Sequence, residues 1–326
     1  MKKPELFSKQ EIHKTRRIKE FIQANIMIVV CIVLMIISSI VSDKFLTINN
    51  LLTILKQNSV TGMLAIGVSI AILSGGIDTS AASMMVAGVM LLGKLNYFPM
   101  VVLIAIALIF TFIMGTITGC LVAYFNVVPF IATMGMATIM EGFSLLISNG
   151  RPIVWTTHLD FIHMMGTGKT LGIPNIVVTF VIIIIIGQLA LSRTKLGFNW
   201  RAIGGNTQAA YWSGIKSKRY TMLAYSFSAM MAGAAAVFMI ARVGASDPVA
   251  GGTLTMDAIA AAVLGGTYLG GQGVGSIWGA LLGTFILGMI NNIFNLVGFS
   301  NYAQLVTKGI IVILAVIVGS RSIKGR

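Results

Sequence analysis

Few side chains in this sequence could take part in chemistry, and the most suggestive are carboxylates that lie inside apolar segments. Asp78 and Glu141 are both placed in this way. An ionisable group at membrane depth is costly, so each should face a cavity or a polar partner. Asp78, Thr79 or Ser80 could alternatively cap the helix that follows, because a side-chain oxygen there would accept from free backbone N–H groups. Both roles are compatible for Asp78, and Glu141 is read either as a polar pathway residue or as a partner of a neighbouring helix.

Enzymatic and metal chemistry are not indicated. Asp78 and Asp257 could form the carboxylate pair of an intramembrane protease, but two acids in separate segments are a weak sign of one. His158 and His163 share a polar stretch without a cysteine or a helical spacing, so no metal site is predicted. The Gly-x-x-x-x-Gly-Lys-Ser/Thr phosphate loop is missing from the sequence, so any use of ATP is expected in another chain. No catalytic residue is predicted.

The composition requires a hydrophobic environment for most of the surface. Of 326 residues, 56% are hydrophobic and 10% are charged, whereas soluble domains carry roughly 25% charged residues. A water-facing surface cannot be covered by so few charges. The chain is therefore predicted to be an integral membrane protein.

The apolar runs predict an all-α polytopic fold with about ten transmembrane helices, since one crossing takes about 20 residues. Eight full spans with re-entrant pieces is the alternative, because several runs are short. The ten segments are 24–42, 57–74, 79–93, 99–125, 128–148, 173–191, 220–242, 255–269, 274–297 and 302–319.

The basic residues predict the orientation. Most of the 23 Lys and Arg residues lie in three short segments at 1–23, 193–219 and 321–326. Clusters that flank apolar runs mark the cytoplasmic side. We therefore expect cytoplasmic tails at 1–23 and 320–326, a membrane domain at 24–319, a cytoplasmic loop at 192–219 and an external loop at 149–172. The expected location is a bacterial inner membrane.

Paired glycines predict broken helices near 75–76 and 265–273. Interrupted backbone at membrane depth persists only where it is buried or lines a cavity. The stretch 71–76 resembles 262–266, which suggests a weak internal repeat, and interrupted segments in corresponding halves often border a translocation site.

The sequence of the predicted cytoplasmic loop 192–219 indicates a docking element. After Gly204 and Gly205, Asn206 can cap a short helix that extends to Gly214 and is too polar to cross the bilayer. A short helix framed by Lys and Arg is typical of a surface that meets a soluble partner, although a plain connector has a similar pattern.

Three stretches together resemble the permeases of the ribose-type sugar ABC importers. They are 45–51 with 73–78, then 201–215, then 257–271, and the likeness extends over about 45–319. The resemblance implies a permease dimer of identical or paralogous chains. It also implies two ATP-binding subunits that hold ATP and Mg, and an external sugar-binding protein. The implied function is ATP-driven import of a small, ribose-like sugar.

The resemblance also implies roles for individual residues. Contact with the ATPase would be made by Arg201, Gly204, Gly205, Asn206, Ala209 and Gly214. The translocation path or gate would involve Asp78, Glu141, Gly75, Gly76, Gly265, Gly266 and Asn291. For Asn291 and Asn292, hydrogen bonds between helices are favoured over ligand contact.

The chain departs from the family pattern at three positions. Thr79 and Ala82 stand where the family usually has Leu and then Gly, and Glu141 stands where it often has Arg. Because a reversed charge within the membrane changes the local electrostatics, these departures put the identity of the sugar in doubt rather than the fold.

Two rival functions remain. The same machinery could carry an autoinducer-like sugar derivative, a nucleoside or a branched-chain amino acid. An ion-coupled secondary transporter is the rival from another class, although proton relays usually need several embedded acids.

Overall fold

The computed structural model of this protein describes residues 26–270, 272–300, 302–310 and 313. Helices dominate these residues. The helices that build the membrane body are α1 (Ile26–Val41), α2 (Ile48–Leu73), α3 (Ala81–Lys94), α4 (Met100–Ala123), α5 (Pro129–Ser148), α7 (Asn175–Arg193), α10 (Ser217–Val243), α11 (Leu254–Leu264) and α12 (Ile277–Val297). Residues 302–310 are also helical.

Short elements fill the connections. They are α6 (Leu159–Gly166), α8 (Lys195–Gly205), α9 (Thr207–Trp212), β1 (Ile153–Val154), β2 (Lys169–Thr170), β3 (Ile173–Pro174) and β4 (Ala245–Ser246). β1 pairs antiparallel with β4, and β2 pairs antiparallel with β3. The two polar loops of the sequence analysis therefore carry regular structure: α8 and α9 lie within 192–219, and α6 with two strands lies within 149–172.

The helical membrane fold is confirmed, and the ten predicted segments each contain a helix. Among the described residues, six helices are long and apolar enough to cross a bilayer: α2, α4, α5, α7, α10 and α12. α3 has 14 residues and α11 has 11, which is about 21 Å and 17 Å of helix against a hydrocarbon core of about 30 Å. The predicted segment 302–319 runs beyond the described residues.

α2 begins nine residues before the predicted start of its segment. Thr47 is its N-cap and accepts from Asn50 N–H at 3.4 Å. Asn50 and Asn292 of α12 exchange two side-chain hydrogen bonds of 2.9 and 2.8 Å. Thr47 and Asn50 lower the mean hydropathy at the start of α2. Both side chains are nevertheless hydrogen-bonded, Thr47 in the cap and Asn50 to α12.

α10 is the central helix, and it packs mainly against α4, α2 and α3. Small residues allow the close approach to α4. A Cβ added at Gly115 would lie 2.5 Å from Tyr225 O, and one at Gly119 would lie 2.5 Å from Met222 O. Helices associate in lipid largely through such close packing, so these glycines fix the position of α10.

α11 and α12 form a second layer against α2, and α1 packs against α12. A Cβ at Gly283 of α12 would collide with Ala261 O of α11, and one at Gly279 would collide with Gly265 O. The small residues of α12 thus allow its close approach to α11.

The two ends of the bundle differ in construction. The α6 end carries 149–172, where Trp155 Nε1 donates to Ser246 Oγ at 2.9 Å and ties β1 to β4. The α9 end carries 193–219, because α7 runs from one end to the other. Both predicted helix breaks lie at the α9 end, where they contact α8. The candidate site is built around them.

Candidate functional site

The first break follows α2 and is a Schellman ending. Gly76 N–H donates to Ala71 O at 3.1 Å, and Gly75 N–H donates to Ile72 O at 2.9 Å. Gly75 has φ +91°, a conformation that glycine adopts without steric cost. Residues 74–80 then form a non-helical segment that leads to α3. The broken helix predicted at 75–76 is confirmed.

The second break follows α11 and repeats this geometry. Thr267 N–H donates to Ala262 O at 3.0 Å, and Gly266 N–H donates to Val263 O at 2.9 Å. Gly266 has φ +86°. The two endings match residue for residue along the stretches that look alike in sequence, and α12 begins only at Ile277. The break predicted at 265–273 is confirmed and extends to Ser276.

Asp78 anchors the first break within the core. It is 1% exposed. Its Oδ1 accepts from Ser80 N–H at 2.9 Å and from Ser80 Oγ at 2.6 Å, while Oδ2 accepts from Ser228 Oγ of α10 at 2.6 Å. Three donors satisfy the buried carboxylate, as a charge at this depth requires.

The start of α3 is therefore capped from two directions. Ser80 occupies the N-cap position without a side-chain cap bond. Asp78 takes the N–H of Ser80, and Thr255 Oγ1 of α11 accepts from Ala82 N–H at 3.1 Å. A capping role was expected for 78–80, and the oxygen comes from Asp78.

Asn206 begins the short helix α9, as predicted. Its Oδ1 accepts from Gln208 N–H at 3.0 Å and from Ala209 N–H at 2.9 Å. The helix ends at Trp212, two residues earlier than expected, and Gly214 follows with φ +82°. Residues 205–209 and 211–214 are exposed, so α9 presents a free surface at its end of the bundle.

The end of α8 lies against both breaks. A Cβ at Gly204 would collide with Leu73 O, the last carbonyl of α2, and would lie 3.2 Å from Gly273 N. Arg201 donates from Nη1 to Gly273 O at 3.4 Å and from Nη2 to Gly275 O at 2.8 Å. Of the six predicted coupling residues, Arg201 and Gly204 thus contact the breaks, whereas Gly205, Asn206, Ala209 and Gly214 lie on the exposed side.

Glu141 lies on an exposed face of α5. Its Oε1 accepts from Ser83 Oγ of α3 at 2.9 Å. At Gly135 and Gly142 on the same helix, no atom of the described residues lies within 4 Å of an added Cβ. This face of α5 is open in the single chain. Nearby, Thr79 and Thr133 of α5 share a hydrogen bond of 2.9 Å between their hydroxyls.

The remaining predicted polar residues have separate surroundings. Asp257 Oδ2 forms a salt bridge of 3.2 Å with Lys308 Nζ. Because Asp78 is held by serines and Asp257 by a lysine, the two do not form the carboxylate pair of a protease. Asn292 pairs with Asn50, while Asn291 Oδ1 is buried without a hydrogen-bond partner among the described residues.

Two cavities open at the α9 end. The larger, of about 730 Å³, is lined by 74–76, by α9, by the first turns of α10 and by the connection from α4 to α5. The smaller, of about 340 Å³, lies beside the end of α9 and is lined by Asn199, Lys216, Arg219 and their neighbours.

Sequence reasoning missed Ser228, Thr255 and Tyr225. Each is a polar residue inside an otherwise ordinary helical pattern, and the residue it contacts is between 149 and 173 residues away in the chain. The small and hydroxylic composition of α10 indicated close packing, but it did not indicate which hydroxyl meets Asp78.

The comparisons with known proteins agree with this architecture. The family model described as branched-chain amino acid transport system / permease component matches residues 50–316. The ribose import permease protein RbsC of Escherichia coli K12 is 36% identical over 298 residues, covering 90% of this chain and 92% of the relative. RbsC of Bacillus subtilis 168 is 38% identical, covering 87% and 89%.

A further relative is named for another sugar. The D-allose transport system permease protein AlsC of Escherichia coli K12 is 35% identical and covers 88% of each chain. No solved structure matches the chain significantly. On the family match and the extent of these similarities, the chain belongs to the permease family of the ribose-type ABC sugar importers.

Proposed function

We propose that this chain forms the membrane pathway of an ATP-driven importer for a ribose-like monosaccharide. An external binding protein would deliver the sugar, and two partner subunits would hold ATP and Mg and hydrolyse the ATP. A second permease copy or a paralogue would complete the pathway. Relatives named for ribose and D-allose support a sugar rather than the amino acids in the family description.

The observation that carries the proposal is the position of α8 and α9. α9 is exposed on one side, with Tyr211 63% and Trp212 78% exposed. α8, which directly precedes it, contacts the end of α2 at Leu73 and residues 273–275 of the second break. An element with a free outer surface and an inner surface fixed to both helix breaks is suited to pass a partner's motion into the membrane.

The contacts suggest how the motion would pass. Closure of the ATPase pair would displace α9 and, with it, α8. Arg201 would carry 273–275 along through its two hydrogen bonds, and Gly204 would press on Leu73 O. Backbone-to-backbone contact leaves no side chain to absorb the displacement, and packed interiors transmit strain because they are poorly compressible.

The same elements support an orientation in the membrane. We propose a bacterial inner membrane, with the α9 end and both termini in the cytoplasm and the α6 end outside. The chain would cross about ten times, if α3 and α11 complete their crossings through 74–80 and 265–276. Arg193, Lys195, Lys216, Lys218 and Arg219 near α8 and α9 support this direction.

The rivals explain the structure less well. A secondary transporter would need embedded acids that can exchange protons, yet Asp78 accepts three hydrogen bonds and Asp257 is paired with Lys308. Glu141 is the acid with the freest surroundings among these three. The alternative cargoes, which are a sugar derivative, a nucleoside or a branched-chain amino acid, would use the same machinery. Measuring which of them is taken up distinguishes them from a simple sugar.

The test is reconstitution in liposomes with the partner ATPase and the binding protein. We expect uptake of labelled D-ribose, or of another monosaccharide, that requires hydrolysable ATP. Uptake of an amino acid or nucleoside would replace the sugar assignment. Uptake that follows an imposed ion gradient without ATP would contradict the importer.

A further inference from the structure

The larger cavity at the α9 end has a lining suited to a neutral, polar molecule. Its polar side chains are mostly hydroxyls and amides, among them Asn126, Gln208, Ser217 and Thr221. No carboxylate is among the described residues that line it. Binding sites for small molecules typically have volumes of roughly 300–1,000 Å³, and this cavity of about 730 Å³ lies in that range.

Tyr225 is an unusual part of the lining. It is 1% exposed, and its phenolic oxygen has no hydrogen-bond partner among the described residues. The oxygen lies against Gly76, because a Cβ at that glycine would overlap it. Buried tyrosine hydroxyls normally find a partner. The hydrogen-bonding capacity of this hydroxyl is therefore unused, and because its oxygen has almost no accessible surface, a bound molecule would reach it after a small shift of the lining at Gly76.

The charge of the lining argues against ions as ligands. Lys218 is the charged residue of the lining, and its Nζ lies 5.8 Å from the centroid of the Tyr124 ring, over its face. A single amine engaged with an aromatic ring is a poor anion site, since anions are usually held by several donors or by bidentate Arg. A cation would find no carboxylate there.

We propose that this cavity binds the imported sugar at the α9 end of the pathway, with the Tyr225 hydroxyl as a hydrogen-bond partner of a sugar hydroxyl. The inference rests on the proposed function, because it takes the cargo to be a neutral polyol. The same cavity is walled by α9 and by 74–76. A sugar bound here would contact the coupling helix and the first helix break together.

The test compares Tyr225→Phe with the wild-type chain in lipid nanodiscs, without partner subunits. Equilibrium binding of labelled D-ribose, D-allose and D-xylose is measured. Loss of one hydrogen bond of ordinary strength should weaken binding by about three- to tenfold. Tyr97→Phe is the matched control, because Tyr97 is 69% exposed and follows α3 at the α6 end; its affinity should equal that of the wild type.

A folding readout accompanies the binding. The midpoint of thermal unfolding without sugar should be unchanged in Tyr225→Phe, since the hydroxyl has no partner to lose. If that variant is poorly folded, Thr221→Val on the same wall replaces it, with the same expected loss of affinity.

Three outcomes would overturn the inference. They are equal affinity in the wild type and in the cavity variant, absence of binding by a sugar that the complete importer transports, and displacement of the sugar by inorganic phosphate with dependence on Lys218. Uptake by the complete importer is measured in parallel. If uptake is normal and binding is unaffected by the variant, only this site is wrong; if no sugar is taken up, the proposed function fails first.

Discussion

The two helix breaks have the same ending and different attachments. After α2 and after α11, the chain leaves the helix through the same pair of backbone hydrogen bonds and a glycine of positive φ, Gly75 or Gly266. The helix that follows each break is capped by one local side chain and one distant one. Asp78 and Thr255 serve α3, whereas Ser276 and Gln188 of α7 serve α12.

The difference lies in what holds the non-helical segment. The first break is fixed to the core by a buried carboxylate that accepts from Ser228 of α10. The second is held from outside by the guanidinium of Arg201 on α8. The first break is therefore anchored to the central helix, and the second to the element that carries the proposed docking surface. The two breaks thus share their local backbone geometry and differ in the helix to which each is attached.

The largest effect is expected from the anchor of the first break. Asp78→Leu would leave the Ser80 N–H and the Ser228 hydroxyl buried without an acceptor, at about 1–3 kcal/mol for each group. We expect a much lower thermal unfolding midpoint and loss of uptake. Asp78→Asn keeps an acceptor oxygen and should retain much of both. Normal uptake by the leucine variant would contradict both the capping and the anchoring role.

Next is the contact that joins α8 to both breaks. Gly204→Ala places a methyl group against Leu73 O and near Gly273 N, which should cost about 1–3 kcal/mol and abolish coupling of ATP hydrolysis to uptake. Gly135→Ala of α5 is the control, because no described atom lies within 4 Å of a Cβ placed there. Similar transport rates in the two variants would remove Gly204 from the proposed transmission.

A smaller effect is expected at the clamp on the second break. Arg201→Lys keeps the charge but loses the fork that reaches Gly273 O and Gly275 O together, at a cost of about 1 kcal/mol. Uptake should fall more than membrane insertion or stability. If uptake is lost and ATPase activity persists, the clamp transmits motion; if both are unchanged, the second break does not depend on α8.

The smallest effect is expected at the hydrogen bond between α3 and α11. Thr255→Val removes the acceptor of Ala82 N–H at the start of α3 and should cost about 0.5–1 kcal/mol. Thr255→Ser keeps the hydroxyl and serves as the control. An unfolding midpoint that is equal in the two variants would mean that α3 does not need this cap.

The sequence predicted the local features of the site well. The glycine pairs marked both helix breaks, and Asn206 marked the beginning of α9, because glycine adopts a positive φ without steric cost and asparagine is favoured at an N-cap. The coupling and path roles given to Asp78, Glu141, Asn291 and the 201–214 residues remain predictions. Their positions are now known, and so are the contacts of Asp78 and Arg201 that such roles would use.

The lengths of the crossing elements were harder to predict. α2 starts earlier than its hydropathy suggests, because Asn50 and Asn292 satisfy each other inside the bundle. α11 ends at Leu264 although the apolar run continues to 269, because Gly266 reverses the chain. Hydropathy sums over a window, whereas a helix ends where one backbone hydrogen bond is replaced.

The amino-acid sequence by itself determined that this is a helical membrane protein, where its helices break, and which family it belongs to. These properties depend on composition, on residue type and on order along the chain. Only the tertiary structure decided that Asp78 meets Ser228, that Arg201 holds the second break, and that Tyr225 borders a polar cavity. Such contacts join residues that are far apart in the chain, and their geometry is set by how glycine-rich helices pack, which residue type alone does not encode.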